Sequence, residues 1–183
     1  RAIIGEGARI NQAGLRPQGD QDVVVEADSD TQGTAAGGAG GAALFSAGIG
    51  PGVGIVAMEQ TTEAAIRAGA LVSAGDDIAV RAVSHHEQDV LAGSAGIVGS
   101  GVAIPASLAV GRYVGVTAAE VGAGAVLAAR GAVEIVADNA ASGGDAQNVT
   151  AGSAALQPLA GSAAVGAAVV VIDRDDIVRA LLG

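Results

Sequence analysis

Apolar residues stand at every second position in two short segments of the chain. They are Ile78, Val80 and Ala82 in the first segment, and Val133, Ile135 and Ala137 in the second. A period of two places these side chains on one face of an extended strand. A helix is the competing interpretation of Ala-rich sequence, but dense glycine, β-branched runs such as residues 169–172 and the lack of a heptad disfavour it. We therefore predict β-strands.

These strands belong to an internal repeat. Residues 22–27, 77–82 and 132–137 match one another at offsets of 55 residues (77 − 22 and 132 − 77). A chain that repeats at a fixed interval builds one structural unit per repeat, and each unit stacks on its neighbours. We predict that the strands within these segments, at residues 23–27, 78–82 and 133–137, are equivalent and stacked.

A second shared element lies upstream of each strand. Residues 4–10, 66–72 and 121–127 match at offsets of 62 and 55 residues (66 − 4 and 121 − 66). The first repeat thus contains about seven extra residues, which we place in an outer loop at residues 14–20. The repeats predict one continuous segment made of three modules, at residues 1–64, 65–119 and 120–181.

Each module has the same order of features. A Gly/Ala segment precedes a tight polar turn, as at residues 73–76, and the alternating strand. A polar stretch, a long uncharged Gly/Ala/Val run and a charged turn follow, the last as at residues 59–63 and 173–176. Strands without hairpin turn signals predict an all-β, parallel β-solenoid. With roughly 20 residues in a coil, a module would hold three coils, and the chain would form a rod roughly 40 to 50 Å long.

The composition predicts a thin core and excludes several chemistries. Half of the residues are hydrophobic but only 1% are aromatic, and with 30 glycines the interior must be lined by Ala, Gly and Val. Cysteine and lysine are absent, which excludes disulfides, thiolate sites, a P-loop and a lysine Schiff base. The net charge of −10 disfavours binding to nucleic acid or to anionic membranes.

Three charge-free stretches are each long enough to cross a bilayer as a helix: residues 31–58, 90–111 and 146–172. They consist mainly of Gly, Ala and Ser, which insert weakly, and proline interrupts each of them. We therefore predict that the chain does not span a membrane.

Two kinds of cluster are candidates for a metal site. His85 and His86 are adjacent, and neighbours on an extended chain point to opposite sides, so we interpret residues 85–89 as a solvated turn. Carboxylates at i, i+2 spacing suit Ca²⁺. The calcium-binding glycine-rich nonapeptide and the EF-hand loop are missing, so we interpret these carboxylates as solvated acidic turns, with calcium as the alternative. They are Asp20/Asp22, Asp28/Asp30 and Asp173/Asp175/Asp176.

Other patterns carry less information. Glycines at alternate positions, as in residues 48–54, imitate a dinucleotide fingerprint, but no strand–glycine–helix unit accompanies them, and we attribute them to repeat packing. Asn148-Val149-Thr150 is a glycosylation sequon. Ser, His and Asp occur without the spacing of a catalytic nucleophile. We predict no catalytic, cofactor-binding or metal-binding residue, and no enzyme.

The repeat style is similar to that of a known class of proteins. Residues 66–72, residues 74–82 and the following Gly/Ala/Val-rich run together resemble the repeats of large bacterial filamentous adhesins, of the filamentous-haemagglutinin-like and leukotoxin-like kinds. The resemblance extends over essentially the whole chain. It implies a secreted, cell-surface, right-handed parallel β-helix that acts as a stalk or adhesive fibre and has no catalytic residues in its repeats.

The favoured function is therefore a structural or adhesive segment of an extracellular bacterial surface fibre. The alternative is a self-assembling filament subunit that stacks end to end, with sister fibres or a host surface as further partners. An ice-binding solenoid would need a flat Thr-x-Thr array, whereas only Thr61-Thr62 and scattered threonines occur. Residues 179–183 match residues 1–5 at an offset of 178 (179 − 1), so we expect copies of the chain to follow in phase, as tandem units or stacked subunits.

Overall fold

The computed structural model describes residues 1–11, 20–139, 147–156 and 163–183. No helix occurs in these residues, which confirms the prediction of an all-β chain, and none of their segments forms a helix that could cross a bilayer. The strands are β1 (Ala2–Ile4), β2 (Arg9–Ile10), β3 (Val23–Ile66), β4 (Leu71–Ser73), β5 (Ile78–Val121), β6 (Val126–Ala128), β7 (Val133–Asp138), β8 (Gln147–Leu156), β9 (Ala163–Ala164) and β10 (Ala167–Leu182).

The strands pair in parallel at the offsets of the internal repeat. β3 pairs with β5 in a register that sets Val23 opposite Ile78, and β5 pairs with β7 so that Ile78 lies opposite Val133. The predicted stacking of the three alternating segments is therefore confirmed. The register follows from the sequence because alternate positions, beginning at Val23, Ile78 and Val133, are apolar in all three segments, so the stack continues each apolar column.

Each module forms one layer of the stack, and this corrects the expected coil size. β3 and β5 each run for 44 residues and pair along this length, so the strand beside β3 lies a whole module further along the chain. The expectation of three coils per module is wrong, and so is the rod of 40 to 50 Å. The path β1-β3-β5-β10 has four strands, which at a spacing of roughly 4.8 Å gives a depth of about 14 Å.

One column of small residues passes through all four of these strands. Ala2 pairs with Ala64, Ala64 with Ala119, and Ala119 with Ala180. The matching segments at residues 1–5 and 179–183 thus place their alanines in the same column of the stack.

A glycine turn recurs at the same place in each layer. Gly7, Gly69 and Gly124 have φ values of +64°, +66° and +71°, a conformation that costs glycine little because it has no Cβ. The turns also stack, since the Gly7 N–H donates to the Ala68 carbonyl at 3.0 Å and the Gly69 N–H to the Ala123 carbonyl at 3.1 Å. The short strands β2, β4 and β6 that follow the turns form a second parallel sheet.

The main hydrophobic core lies beside these turns, at what we call the core end of each layer. Its buried members come from adjacent layers and are Ala, Val and Ile, including Val25, Ile66, Val72, Ile78 and Val80. Each buried Val or Ile contributes about 1.5 to 3 kcal/mol, so the layers gain much of their apolar stabilisation here. The small size of these side chains agrees with the predicted thin core.

Beyond the core end, each long strand runs out, bends back and returns alongside itself. Ser84 Oγ lies 2.7 Å from Thr117 Oγ1, and Gln88 Nε2 donates to the Arg112 carbonyl at 2.9 Å, so the two halves of β5 face each other. We call this part of the stack the blade. Its outgoing arms are residues 28–43, 83–98 and 147–156, and its returning arms are residues 47–63, 102–118 and 163–176.

The arms of the blade approach each other until their backbones touch. A Cβ placed on Gly52 would lie 2.0 Å from the Gly93 carbonyl oxygen, and one on Gly37 would lie 1.7 Å from the Val53 carbonyl oxygen. Facing sheets normally lie about 10 Å apart, so at these positions of the first layer only glycine fits. Their register partners in the second layer, Ala92 and Ser107, are small and buried. The Gly/Ala-rich runs line this contact, and the attribution of the alternate glycines to repeat packing is confirmed.

Two of the predicted turns lie inside strands. Residues 59–63 belong to β3 and residues 173–176 to β10, because alternation continues through the polar residues and turns Gln60 and Thr62 inward. The predicted turn at residues 73–76 is confirmed by a bend at Gly75 and Asp76. For residues 14–19, the predicted outer loop lies outside the described part of the chain.

Candidate functional site

Polar side chains line the inside of the blade next to the core end. Ser84, His86 and Gln88 occupy successive inward positions of β5 and are at most 1% exposed. His85 lies on the other face and is half-buried. The predicted solvated turn at residues 85–89 is therefore wrong, whereas the expectation that the two histidines point to opposite sides is confirmed.

Tyr113 connects these side chains to the neighbouring layer. Its ring stacks on His86, with ring centroids 3.8 Å apart and ring planes inclined by 10°. Its hydroxyl donates to Gln60 Oε1 at 2.9 Å, and Gln60 Nε2 donates to Ser29 Oγ at 2.8 Å and to the Ser29 carbonyl at 3.1 Å. We call Ser29, Gln60, His86 and Tyr113 the polar cluster. It joins both arms of the blade in two adjacent layers.

The third layer brings a carboxylate to the same place. A Cβ on Gly115 would lie 2.7 Å from both Asp176 Oδ1 and Tyr113 Oη, so the glycine leaves room for both groups. Asp176 also forms an ion pair with Arg174. Gln60, Gly115 and Asp176 are register partners in β3, β5 and β10, which explains why these groups meet.

His, Tyr and Asp are side chains that acid–base catalysis uses, but this geometry suits packing instead. His86 and Tyr113 are each 1% exposed and stack face to face between the arms. The Gln60 oxygen that accepts the hydrogen bond from the Tyr113 hydroxyl lies in the preceding layer. We interpret the cluster as a set of contacts that fixes the register of the arms. Arms made of small residues specify their register weakly, whereas these buried hydrogen bonds form at one register.

Sequence reasoning missed this cluster. The sequence pattern assigns His86 to a solvated turn and gives no prediction for Tyr113. A usable signal was present, because Ser84, His86 and Gln88 continue the period of two that begins at Ile78.

A group of three carboxylates lies at the core end, outside the blade. Asp22, Asp76 and Asp77 come from adjacent layers, and oxygens of the three lie within 4.8 Å of one another. Repulsion from Asp77, followed by burial, raises the pKa of Asp76 above its ordinary value. Two of the carboxylates accept backbone hydrogen bonds from the next layer, Asp22 from Asp77 N–H at 3.1 Å and Asp77 from Ala132 N–H at 2.6 Å.

The structure groups the acidic residues differently from the predicted pairs. Asp22 meets the 76–77 pair of the next layer rather than acting with Asp20, while Asp28 is exposed within β3. Asp173 pairs with Arg112 across the layers at 3.5 Å, and Asp176 points inward. The carboxylates at residues 28–30 and 173–176 therefore lie in strands, and their interpretation as acidic turns is wrong.

The outer surface of the outgoing arms is mixed in polarity. Thr34, Asp89 and Asn148 are register partners on this face. With Leu91 and Thr150 they border a shallow groove of about 310 Å³. The sequon lies on β8, where Asn148 is exposed.

The outer surface of the returning arms is apolar towards the bend, whereas Glu59, Arg112 and Asp173 are exposed on it nearer the core end. Its columns alternate branched aliphatic residues with Pro51, Ala106 and Ala167, and residues 46–57, 101–111 and 163–172 include no charged residue. Ile49 and Ile55 are 62% and 60% exposed. We call the charge-free part of this surface, at residues 47–57, 101–111 and 163–172, the returning face. Its branched aliphatic members are Ile49, Val53, Ile55, Val102, Ile104, Leu108, Val110, Val165, Val169 and Val171.

No family model, no curated protein and no solved structure matches this chain. Its function is therefore inferred from the geometry described above.

Proposed function

We propose that this chain is a structural or adhesive segment of an extracellular bacterial surface fibre, a rigid stalk built from tandem β-solenoid repeats. The observation that supports this proposal is the register of the parallel strands. Chain order and spatial order agree along β1, β3, β5 and β10, as they do when a chain winds in one sense and adds one layer per turn.

The two ends of the stack suit continuation. β10 pairs with β5 along one edge, and its backbone on the other edge is a template for a further strand. Ala180 shares a column with Ala2, and the segments around them match in sequence. A following copy would therefore extend each column with the residues it already contains.

The chemistry of the chain also favours a structural role. The reactive side chains of the polar cluster are buried between the arms. The net charge of −10 keeps a long fibre soluble. The proposed cell-surface location and stalk function come from the resemblance of the repeats to those of filamentous adhesins.

The alternative function is a self-assembling extracellular subunit that stacks end to end. The open edge of β10 favours it equally, because a separate chain pairs with a strand edge through the same backbone bonds. The mass of the denatured native protein separates the two. A polypeptide far larger than 17.3 kDa supports tandem units, and one near 17.3 kDa supports stacked subunits.

Small-angle X-ray scattering tests the solenoid itself. A two-copy tandem of this chain should keep the cross-section of the single copy and gain about 14 Å in length, which is three strand spacings of roughly 4.8 Å. Two separate globules joined by a linker would refute continuous stacking. Antibody labelling of intact and permeabilised source cells tests the location, since labelling confined to permeabilised cells would refute a surface fibre.

A further inference from the structure

The returning face is a continuous uncharged surface with a high density of branched aliphatic side chains. Ten branched aliphatic side chains project from it in three layers, and Ile49, Val53 and Ile55 of the first layer are 62%, 52% and 60% exposed. The opposite face of the blade also exposes Leu91, Ile97 and Leu156, but Gly and Ala separate them, and Asp89 borders them. Soluble monomers rarely expose contiguous apolar patches beyond a few hundred Å².

The area of this face falls near that of a weak specific interface. Residues 47–57 span about 33 Å along the strand, and three strands that each occupy a width of about 4.8 Å cover about 14 Å, which gives roughly 450 Å². Two such faces together give about 900 Å², within the range of transient protein interfaces and below that of stable ones. The area would grow with each added layer.

The chemistry of the face selects its partner. It contains no basic residue to meet an anionic headgroup or a nucleic acid, and Arg112 at its border is paired with Asp173 at 3.5 Å. Phe45 is the one exposed aromatic residue of the chain. A carbohydrate would need aromatic platforms or hydrogen-bonding groups, which the aliphatic columns do not provide. The columns repeat at the strand spacing, along Val53–Leu108–Val169 and Ile55–Val110–Val171, and another copy has aliphatic columns of the same spacing.

We infer that the returning face binds the returning face of a second copy of this chain, so that two stacks associate side by side. Such an isologous contact is closed and ends at two copies. Aliphatic side chains of the two faces interdigitate as they do between packed sheets about 10 Å apart. This inference is separate from the proposed stalk function, because axial continuation uses strand edges and lateral pairing uses side chains of the face.

Sedimentation velocity with the full chain tests the inference, using two matched variants. Ile55→Asp places a charge on the returning face, and Leu91→Asp places one on the opposite face at a similarly exposed aliphatic residue, the two being 60% and 56% exposed. The wild type and Leu91→Asp should rise from 17.3 kDa towards twice that mass as concentration increases. Ile55→Asp should stay at 17.3 kDa.

A milder variant and far-UV circular dichroism separate loss of contact from loss of fold. Val53→Thr keeps the shape of the side chain, so it should weaken association several-fold while the spectrum stays unchanged. A wild type that remains at 17.3 kDa up to millimolar concentration would overturn the inference.

Two other outcomes would also overturn it. Species that grow beyond two copies and are equally abundant in Ile55→Asp would show stacking through strand edges, which supports the alternative function instead. The wild type could instead float with neutral phosphatidylcholine vesicles and form no dimer, while Ile55→Asp does not float. That result would show that the face binds lipid.

Discussion

Gly52 provides a direct test of the backbone contact between the arms of the blade. A Cβ at this position would lie 2.0 Å from the Gly93 carbonyl oxygen, whereas non-bonded atoms attract best at about 3.5 to 4.0 Å. Gly52→Ala must therefore push the arms apart by roughly 1.5 Å. Gly93→Ala is the matched control, because a Cβ there would meet nothing within 4 Å.

The two substitutions should change the free energy of unfolding in opposite directions. Forcing an extra methyl group into a close-packed interior costs about 1 to 3 kcal/mol, and the upper end applies here because the obstacle is backbone rather than a mobile side chain. In the control, alanine removes the strand penalty of glycine and stabilises by about 0.5 to 1 kcal/mol. For a chain of this size 1 kcal/mol shifts the melting temperature by about 2 to 4 °C, so Gly52→Ala should lower it by about 6 to 12 °C.

Thermal unfolding followed by far-UV circular dichroism measures both variants, and urea denaturation checks the free energies. The control should melt slightly above the wild type. If Gly52→Ala were as stable as Gly93→Ala, the arms would not be in backbone contact and the account of the glycine-rich runs would be wrong.

Three further predictions concern the polar cluster, the carboxylate group and the dependence of layers on one another. Tyr113→Phe should destabilise the fold by about 1 to 3 kcal/mol because it leaves the buried Gln60 oxygen without its donor. Urea denaturation of Tyr113→Phe, Gln60→Leu and the double variant should give losses of stability that are not additive. Additive losses would show that the two side chains are not coupled. Asp76→Asn should raise the melting temperature at neutral pH, because Asp77, then burial, raises the pKa of Asp76. With a raised folded-state pKa, the stability from protonating Asp76 is fully present below the ordinary value of 3.8 and is lost as pH rises through the raised pKa. The gain should therefore vanish in acid, and a gain independent of pH would contradict this origin. Residues 65–120 alone should be largely unfolded by circular dichroism, because a layer depends on its neighbours; cooperative melting at the temperature of the full chain would contradict the stack.

The repeat offsets and the period of two were sufficient to predict the strands at the core end. There the apolar residues of an alternating strand face the interior and the polar ones face solvent, since Ile78 and Val80 point inward and Arg81 is exposed. The same rule fails in the blade. In residues 48–55 glycine alternates with branched residues, and the glycines point inward while Ile49 and Ile55 point outward. The inversion arises because the arms that meet at residues 48–54 leave no space for a side chain between them, and a single strand does not reveal this constraint.

The coil size and the polar cluster could not be predicted because both depend on how the two halves of a long strand pair with each other. Polar residues normally mark turns, so residues 59–63 and 85–89 were assigned to turns instead of to the strands that contain them. Gln60, His86 and Tyr113 are buried because the bend near Gly101, where φ is +127°, returns β5 along itself. Pairing across that bend is tertiary information, and the sequence marks it only by glycines around Ser100.

The pairing of residues 55 apart is the central claim, and a cysteine pair tests it most directly in this cysteine-free chain. Ala36 and Leu91 are exposed register partners, and neighbouring strands at about 4.8 Å suit the Cα separation of a disulfide. Ala36→Cys with Leu91→Cys should oxidise to an intramolecular disulfide, detected by mass spectrometry after thiol blocking. Ala36→Cys with Ala95→Cys, shifted by about 13 Å along the strand, should stay reduced. Equal oxidation of both pairs, or oxidation of the shifted pair alone, would contradict the one-layer-per-module stack.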